Sequence, residues 1–190
     1  MPEIYMIAGC NGAGKTTAAY TLLPDVFKTI EFVNADEIAR GLSPFNVEGV
    51  AFKAGRIMLE RINQLIKEQK SFAFETTLSG LSYFKLINDA KAVGYEIVVF
   101  FVYLNNVELA KNRVAIRVSK GGHNIPADVI ERRYIKGINN FFKYTIISND
   151  WYIYDNSRKA YELIAKNISG QTQILNFKIF CKLNRNETYQ

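Results

Sequence analysis

Short apolar runs alternate along this chain with longer stretches in which apolar residues recur every three or four positions, and that alternation predicts strands feeding into helices. Ile4 to Ala8, Ile30 to Asn34, Ser71 to Glu75, Glu96 to Leu104 and Trp151 to Tyr154 read as strands. The clearest helix spans about Val47 to Gln69, where Val50, Ala54, Ile57, Met58, Arg61, Ile62 and Leu65 fall at helical spacing. Leu81 to Val93 and Val107 to Ser119 predict shorter helices, ended by Gly94 and by Gly121-Gly122. Pro126 suits the first turn of the next helix, in which Ile130, Tyr134, Gly137, Ile138 and Phe141 form a packing face. Tyr161 to Ile168 and Gln171 to Phe177 flank Ser169-Gly170 and predict a terminal β-hairpin over 161–177, with a frayed end from Asn184 to Gln190. Strands alternating with helices imply an α/β fold in three layers, with a mostly parallel sheet between helices.

Composition narrows this only a little. A chain of 190 residues, 48% hydrophobic, fits one domain over 1–190 with a real core, and no repeat or linker divides it. Cys10 and Cys181 are too few for a disulfide framework and lack zinc-ligand spacing. Met1-Pro2-Glu3 is not a basic leader, and the longest apolar run, Ile97 to Leu104, is too short to cross a bilayer, so a cytoplasmic protein without a membrane partner is expected. The net charge of +6 is compatible with a nucleic acid or with polyphosphate ligands. Arg113, Arg117, Lys120, Arg132, Arg133 and Lys136 cluster in one helix-loop-helix stretch, with Lys178, Lys182 and Arg185 in the tail. Such clustering suits an α-helical lid over about 113–133 better than a nucleic-acid track, so nucleic acid is not expected as a partner.

Candidate chemistry changes the picture decisively. Gly9-Cys10-Asn11-Gly12-Ala13-Gly14-Lys15-Thr16 spells the phosphate-binding loop G-x-x-x-x-G-K-[ST], followed by Thr17 and a helix-prone stretch to Leu23. Glycines let successive N–H groups face inward, and the helix beginning near Lys15 adds its positive end. Lys15 is expected to reach the β and γ phosphates of ATP, and the Thr16 hydroxyl to ligate Mg2+. Cys10 reads as a small filler. A dinucleotide-binding loop fits less well, because it would need glycine at Thr17. No N-K-x-D string specifies guanine, which leaves adenine as the expected base.

Two acids follow predicted strands, where ligands of parallel sheets bind. Asp36 could take the proton of an attacking hydroxyl, or simply cap the helix that follows. Glu75, ahead of Thr76-Thr77, could hold Mg2+, grip an acceptor hydroxyl, or serve as a cap or loop ion pair. Arg113 and Arg117, four apart on a helix, could aim two guanidinium groups at a phosphoryl group, or form an ordinary solvated face. Gly121-Gly122 would let the segment hinge. His123, the single histidine, has no partner acid that would make it a catalyst.

Together these stretches resemble the zeta-toxin family of P-loop kinases, in particular its compact bacterial branch labelled predicted ABC-type ATPases. The likeness rests on Gly9 to Thr17, Phe32 to Ala39, Leu42 to Phe45, Ala54-Gly55-Arg56, Phe72 to Gly80, Gly121 to Pro126 and Asp155-Asn156-Ser157. It implies a nucleotide-kinase-like fold and ATP- and Mg2+-dependent phosphorylation of a hydroxyl, in zeta toxins that of a UDP-linked amino sugar, with a small antitoxin protein as partner. It implies Asp36 as base, Lys15 and Thr16 on phosphate and metal, and Glu75 beside the acceptor, with Thr76 and Arg113 placed among the substrate contacts. The lid arginines correspond to Arg117 and Arg133, with Arg113 and Arg132 as alternatives. The lid is shorter than in the best-known zeta toxins and built around Gly-Gly-His, and their longer C-terminal portion is missing. The competing expectation is a nucleic-acid-associated ATPase or polynucleotide kinase.

Overall fold

The computed structural model describes residues 1–22 and 29–185. Seven strands form one sheet: β1 (Glu3–Ala8), β2 (Phe32–Val33), β3 (Phe72–Thr76), β4 (Glu96–Tyr103), β5 (Asp150–Asp155), β6 (Glu162–Ile168) and β7 (Gln171–Ile174). Their spatial order is β2-β3-β1-β4-β5-β6-β7. The first five run parallel, and β6 and β7 are antiparallel additions. Seven helices are described: α1 (Lys15–Leu22), α2 (Ala35–Leu42), α3 (Val47–Lys67), α4 (Ser82–Ala92), α5 (Val107–Ser119), α6 (Ala127–Ile147) and α7 (Phe177–Arg185).

The central strands are apolar on both faces, as strands covered by helices on both sides must be. On β4, Ile97, Val99, Phe101 and Tyr103 join one core with Met58 and Ile62 of α3, Ile87 of α4 and Phe141 of α6. Val98 and Phe100, on the alternate face, pack with Tyr5, Ile7 and Ala19 of α1. A third cluster joins Cys10 and Ala13 of the loop after β1 to Ala110 and Val114 of α5 and Ile130 of α6, so the lid helices rest on the loop through apolar contacts. The expected three-layer architecture is therefore present.

Differences lie at the margins. The strand expected over Ile30 to Asn34 shortens to Phe32–Val33, with Ile30 84% exposed and Asn34 turned into a helix cap. The hairpin turn has φ of 51° at Ser169 and 80° at Gly170, the left-handed pair that a two-residue connection favours. Its second strand stops at Ile174, and α7 follows through Arg185 where fraying was expected to begin at Asn184. Asn176 opens α7, its Oδ1 accepting from Ile179 N at 3.2 Å, and Phe180 stacks on Trp151 at 6.4 Å. An asparagine followed by apolar Ile179, Phe180 and Leu183 is a helix signal, but the expected hairpin strand, drawn through to Phe177, ran over that cap. Leu23 and residues 186–190 lie outside the described residues.

Candidate phosphoryl-transfer site

The glycine-rich loop runs from the carboxyl end of β1 into α1, anchored at its start by Gly9 N–H donating to Thr76 O at 3.2 Å. Gly14 has φ of 93°, and a Cβ there would lie 2.5 Å from Asn156 Nδ2, so only glycine fits. Gly12 lies as close to α5: its absent Cβ would meet Ala110 O at 2.7 Å. Lys15 and Glu75 are 5% and 12% exposed; Lys15 Nζ donates to Cys10 O at 3.0 Å and stands 3.4 Å from Glu75 Oε1. Thr16 Oγ1 donates to Glu75 Oε2 at 2.6 Å, and Asn34 Nδ2 donates to the same oxygen at 2.9 Å. Thr17 is exposed on α1. Burial pushes the Cys10 thiol up to about 11 against the pull of Lys15, so it is a neutral filler near pH 7.

Asn34 also settles how α2 is capped. Its Oδ1 accepts from Asp36 N at 2.8 Å and Glu37 N at 3.4 Å, so Asp36 is not the cap; it sits in the first turn with its carboxylate at the cleft. That cleft, of about 280 Å3, is lined by Asn11, Lys15, Asp36, Glu75, Thr76 and Arg133, and farther along by Thr77, Ser79, Tyr83 and Met58. Arg133 Nη1 donates to Asn11 Oδ1 at 3.1 Å; burial draws its guanidinium below the ordinary arginine range, opposed by the charge of Asp36.

The far wall is the loop after β3. Leu78 holds φ of 50° with its side chain buried, its N–H bonded to Thr76 Oγ1 at 3.1 Å and its carbonyl accepting from Asn140 Nδ2 at 2.7 Å. The Thr77 and Ser79 hydroxyls lie 2.9 Å apart. Asn34 and Ser79 lie within stretches that carry the resemblance but were given no role there, and Asn140 was not singled out: its partner Leu78 is 62 residues away, and nothing local marks it.

Of the basic residues, Arg133 joins the cleft while Arg113 and Arg117 do not. They line a separate groove of about 550 Å3 with Arg40 and Lys120, and Arg117 Nη2 donates to His123 O at 2.9 Å, tying down the glycine-rich lid turn. Arg132 is exposed on α6.

A divalent cation of the Mg2+ type takes oxygen ligands, commonly one or two carboxylates together with phosphate oxygens. Thr16 and Glu75 fit that requirement: by donating its proton to Glu75, Thr16 Oγ1 leaves its lone pairs for a cation beside the carboxylate. Among the described residues, no group of three or more His, Cys, Asp or Glu forms an all-protein metal site, and no helix is long and apolar enough to cross a membrane.

Fold and loop together define the class of a P-loop kinase fold. Residues 1–167 match the Zeta toxin family, and the chain belongs to it. An uncharacterized protein of Haemophilus influenzae is 32% identical over 126 residues, covering 66% of this chain and 88% of that one. The crystal structure of AvrRxo1-ORF1:-ORF2 with ATP is similar at a TM-score of 0.80 and 16% identity, over 96% of this chain; the chain spans 63% of that one's length. The PezAT chromosomal toxin-antitoxin system of Streptococcus pneumoniae is similar at 0.65 and 16%, covering 98% of this chain and 86% of that one.

Proposed function

We propose that the protein is an ATP- and Mg2+-dependent kinase that transfers the γ-phosphate to a hydroxyl of a small molecule, a nucleotide-sugar or related metabolite. The observation that carries this reading is the convergence of Lys15, Asp36, Glu75 and Arg133 on one cleft beside the phosphate loop. When bound, Mg2+ would neutralise charge between the phosphates. Lys15 and the loop amides bind and orient the triphosphate, and Thr16 with Glu75 would hold the cation. Asp36, at the edge of the cleft, receives the acceptor's proton as its oxygen attacks phosphorus. Arg133, held beside the loop by Asn11, would stabilise the negative charge that gathers on the moving phosphoryl group. Thr76, Thr77 and Ser79 present hydroxyls for orienting the acceptor. Arg113 and Arg117 would reach the phosphates only through movement of the lid, which Gly121-Gly122 permits.

Incubating the protein with labelled ATP, Mg2+ and a metabolite extract should label one compound, and Lys15→Ala should abolish the label. Transfer by Lys15→Ala at the parent rate would sink the reading. Membership of the family and the likeness to a toxin-antitoxin system support an inhibitory protein partner, expected to compete with ATP. A polynucleotide kinase is the second reading, favoured by the groove of Arg40, Arg113, Arg117 and Lys120. It predicts label on an oligonucleotide 5′ end, with affinity falling steeply as salt rises.

A further inference from the structure

We infer that Asn156 and Tyr161, on the connection between β5 and β6, are positioning residues that aim the amides of the phosphate loop; this rests on the kinase reading of that loop. Asn156 Nδ2 donates to Ala13 O at 2.8 Å in a buried setting, and Tyr161 Oη donates to Gly14 O at 2.9 Å. In a trans peptide the carbonyl and the N–H of one unit point opposite ways. Fixing the Ala13 and Gly14 carbonyls toward the connection therefore turns the N–H groups of Gly14 and Lys15 away from it. Gly14 O also accepts from Ala18 N at 2.9 Å along α1, so the Lys15 N–H points out of the helix's amino end, where an anion is held.

The brace hangs from the sheet. Asn156 N donates to Tyr103 O at 3.0 Å, Asn105 N to Ser157 Oγ at 2.8 Å, and Ser157 N to Asp155 Oδ1 at 2.8 Å. Asp155-Asn156-Ser157 thus locks the connection to the carboxyl end of β4, and Asn156 reaches the loop from a fixed base. Both side chains occupy the space a Cβ on Gly14 would need, at 2.5 and 2.9 Å. Loop and brace are therefore fitted to each other, and the brace needs donors: a carboxylate at 156 would face the Ala13 carbonyl with an acceptor. Tyr161 is partly exposed, and the desolvation of its phenol raises it above its ordinary range, which keeps its proton available to donate.

The test is titration of the full chain with a fluorescent ATP analogue, with inorganic tripolyphosphate as competitor. Tyr161→Phe, which deletes one oxygen, should weaken both ligands by the same factor, about five where the loop order that one neutral hydrogen bond supplies in the free protein has to be supplied on binding instead. Asn156→Asp should weaken both more than tenfold, while the nucleotide-free melting midpoint of Tyr161→Phe falls by no more than a few degrees. Parent affinities in Tyr161→Phe overturn the inference, as does weakening of the ATP analogue with tripolyphosphate unchanged, which would place Tyr161 on the nucleoside. Should Asn156→Asp fail to fold, Tyr161→Phe decides alone. A parent chain that binds neither ligand overturns the kinase reading, and this inference with it.

Discussion

Asn34 divides the duties of two acids that the sequence left ambiguous. Its carbonyl takes the helix N–H groups, which frees Asp36 from capping, and its amide holds Glu75 against Thr16, which keeps Glu75 beside the phosphate loop. Asp36→Asn should therefore keep ATP affinity while lowering phosphoryl transfer by about 10²- to 10⁴-fold, the span of general-base contributions, as measured with the labelled-ATP assay beside nucleotide binding. Transfer at the parent rate would reduce Asp36 to a surface acid. Cys10 yields a prediction about stability. Folding raises its thiol from 9.0 to about 11, so between those values the unfolded chain ionises first and binds fewer protons than the native one. Stability is thus fully present below pH 9 and lost as pH rises toward 11, at up to about 1.4 kcal/mol per pH unit. Urea midpoints followed upward from pH 9 should fall, and Cys10→Ala should flatten the first part of that fall before the buried tyrosines, such as Tyr144 at about 12, take over.

Helix α6 shows what a periodic pattern can and cannot convey. Its apolar face, with Ile138, Phe141 and Tyr144 buried, is read directly from spacing, and Gly137 falls on that face. Spacing says nothing about why glycine stands there. A Cβ at Gly137 would meet Thr77 O at 2.7 Å, because the helix is pressed onto the loop after β3, strapped by Asn140 to Leu78 O and by Tyr144 Oη to Gly80 O at 3.3 Å. Alanine normally stabilises a helix interior relative to glycine, and at Gly55 of α3, where nothing lies within 4 Å, Gly55→Ala should add about 0.5–1 kcal/mol. Gly137→Ala should reverse the sign and cost about 1–3 kcal/mol, since helix or loop must shift. Paired urea denaturations check both; a stabilised Gly137→Ala would mean the strap is loose. The same logic explains α7. Its apolar residues acquire meaning only from Trp151 and Phe142, which the fold brings under Phe180 and which no local window contains.

At the scale of the whole molecule, the strand order gathers residues that the chain keeps far apart. β1, β3 and β4 are neighbours with parallel direction, so their carboxyl ends open on one edge, where the phosphate loop follows β1, Glu75 nears the end of β3 and the connection to α5 follows β4. The loop itself was legible because eight consecutive residues carry its chemistry, and the two acids were legible because Glu75 closes a predicted strand and Asp36 lies just past another. The pairings of Thr16 with Glu75, Arg133 with Asn11 and Asn156 with Ala13 span 59, 122 and 143 residues and become visible only once the sheet is assembled. Because the contacts that shape the site come from so many parts of the chain, unfolding must dissolve it, and a ligand bound there stabilises the native state by mass action. At a hundredfold excess over its dissociation constant, Mg-ATP should add about 2.7 kcal/mol and raise the melting midpoint accordingly. Lys15→Ala removes a buried cation that balances Glu75 and that the proposed reading assigns to the phosphates, so its midpoint should stay put when Mg-ATP is added, whatever its value without nucleotide. Thermal melts of both chains across an ATP series read this directly. An equal shift in both would place nucleotide binding elsewhere on the molecule, whereas a shift produced by an oligonucleotide and erased by salt would favour the groove of Arg40, Arg113, Arg117 and Lys120 over the cleft at Asp36.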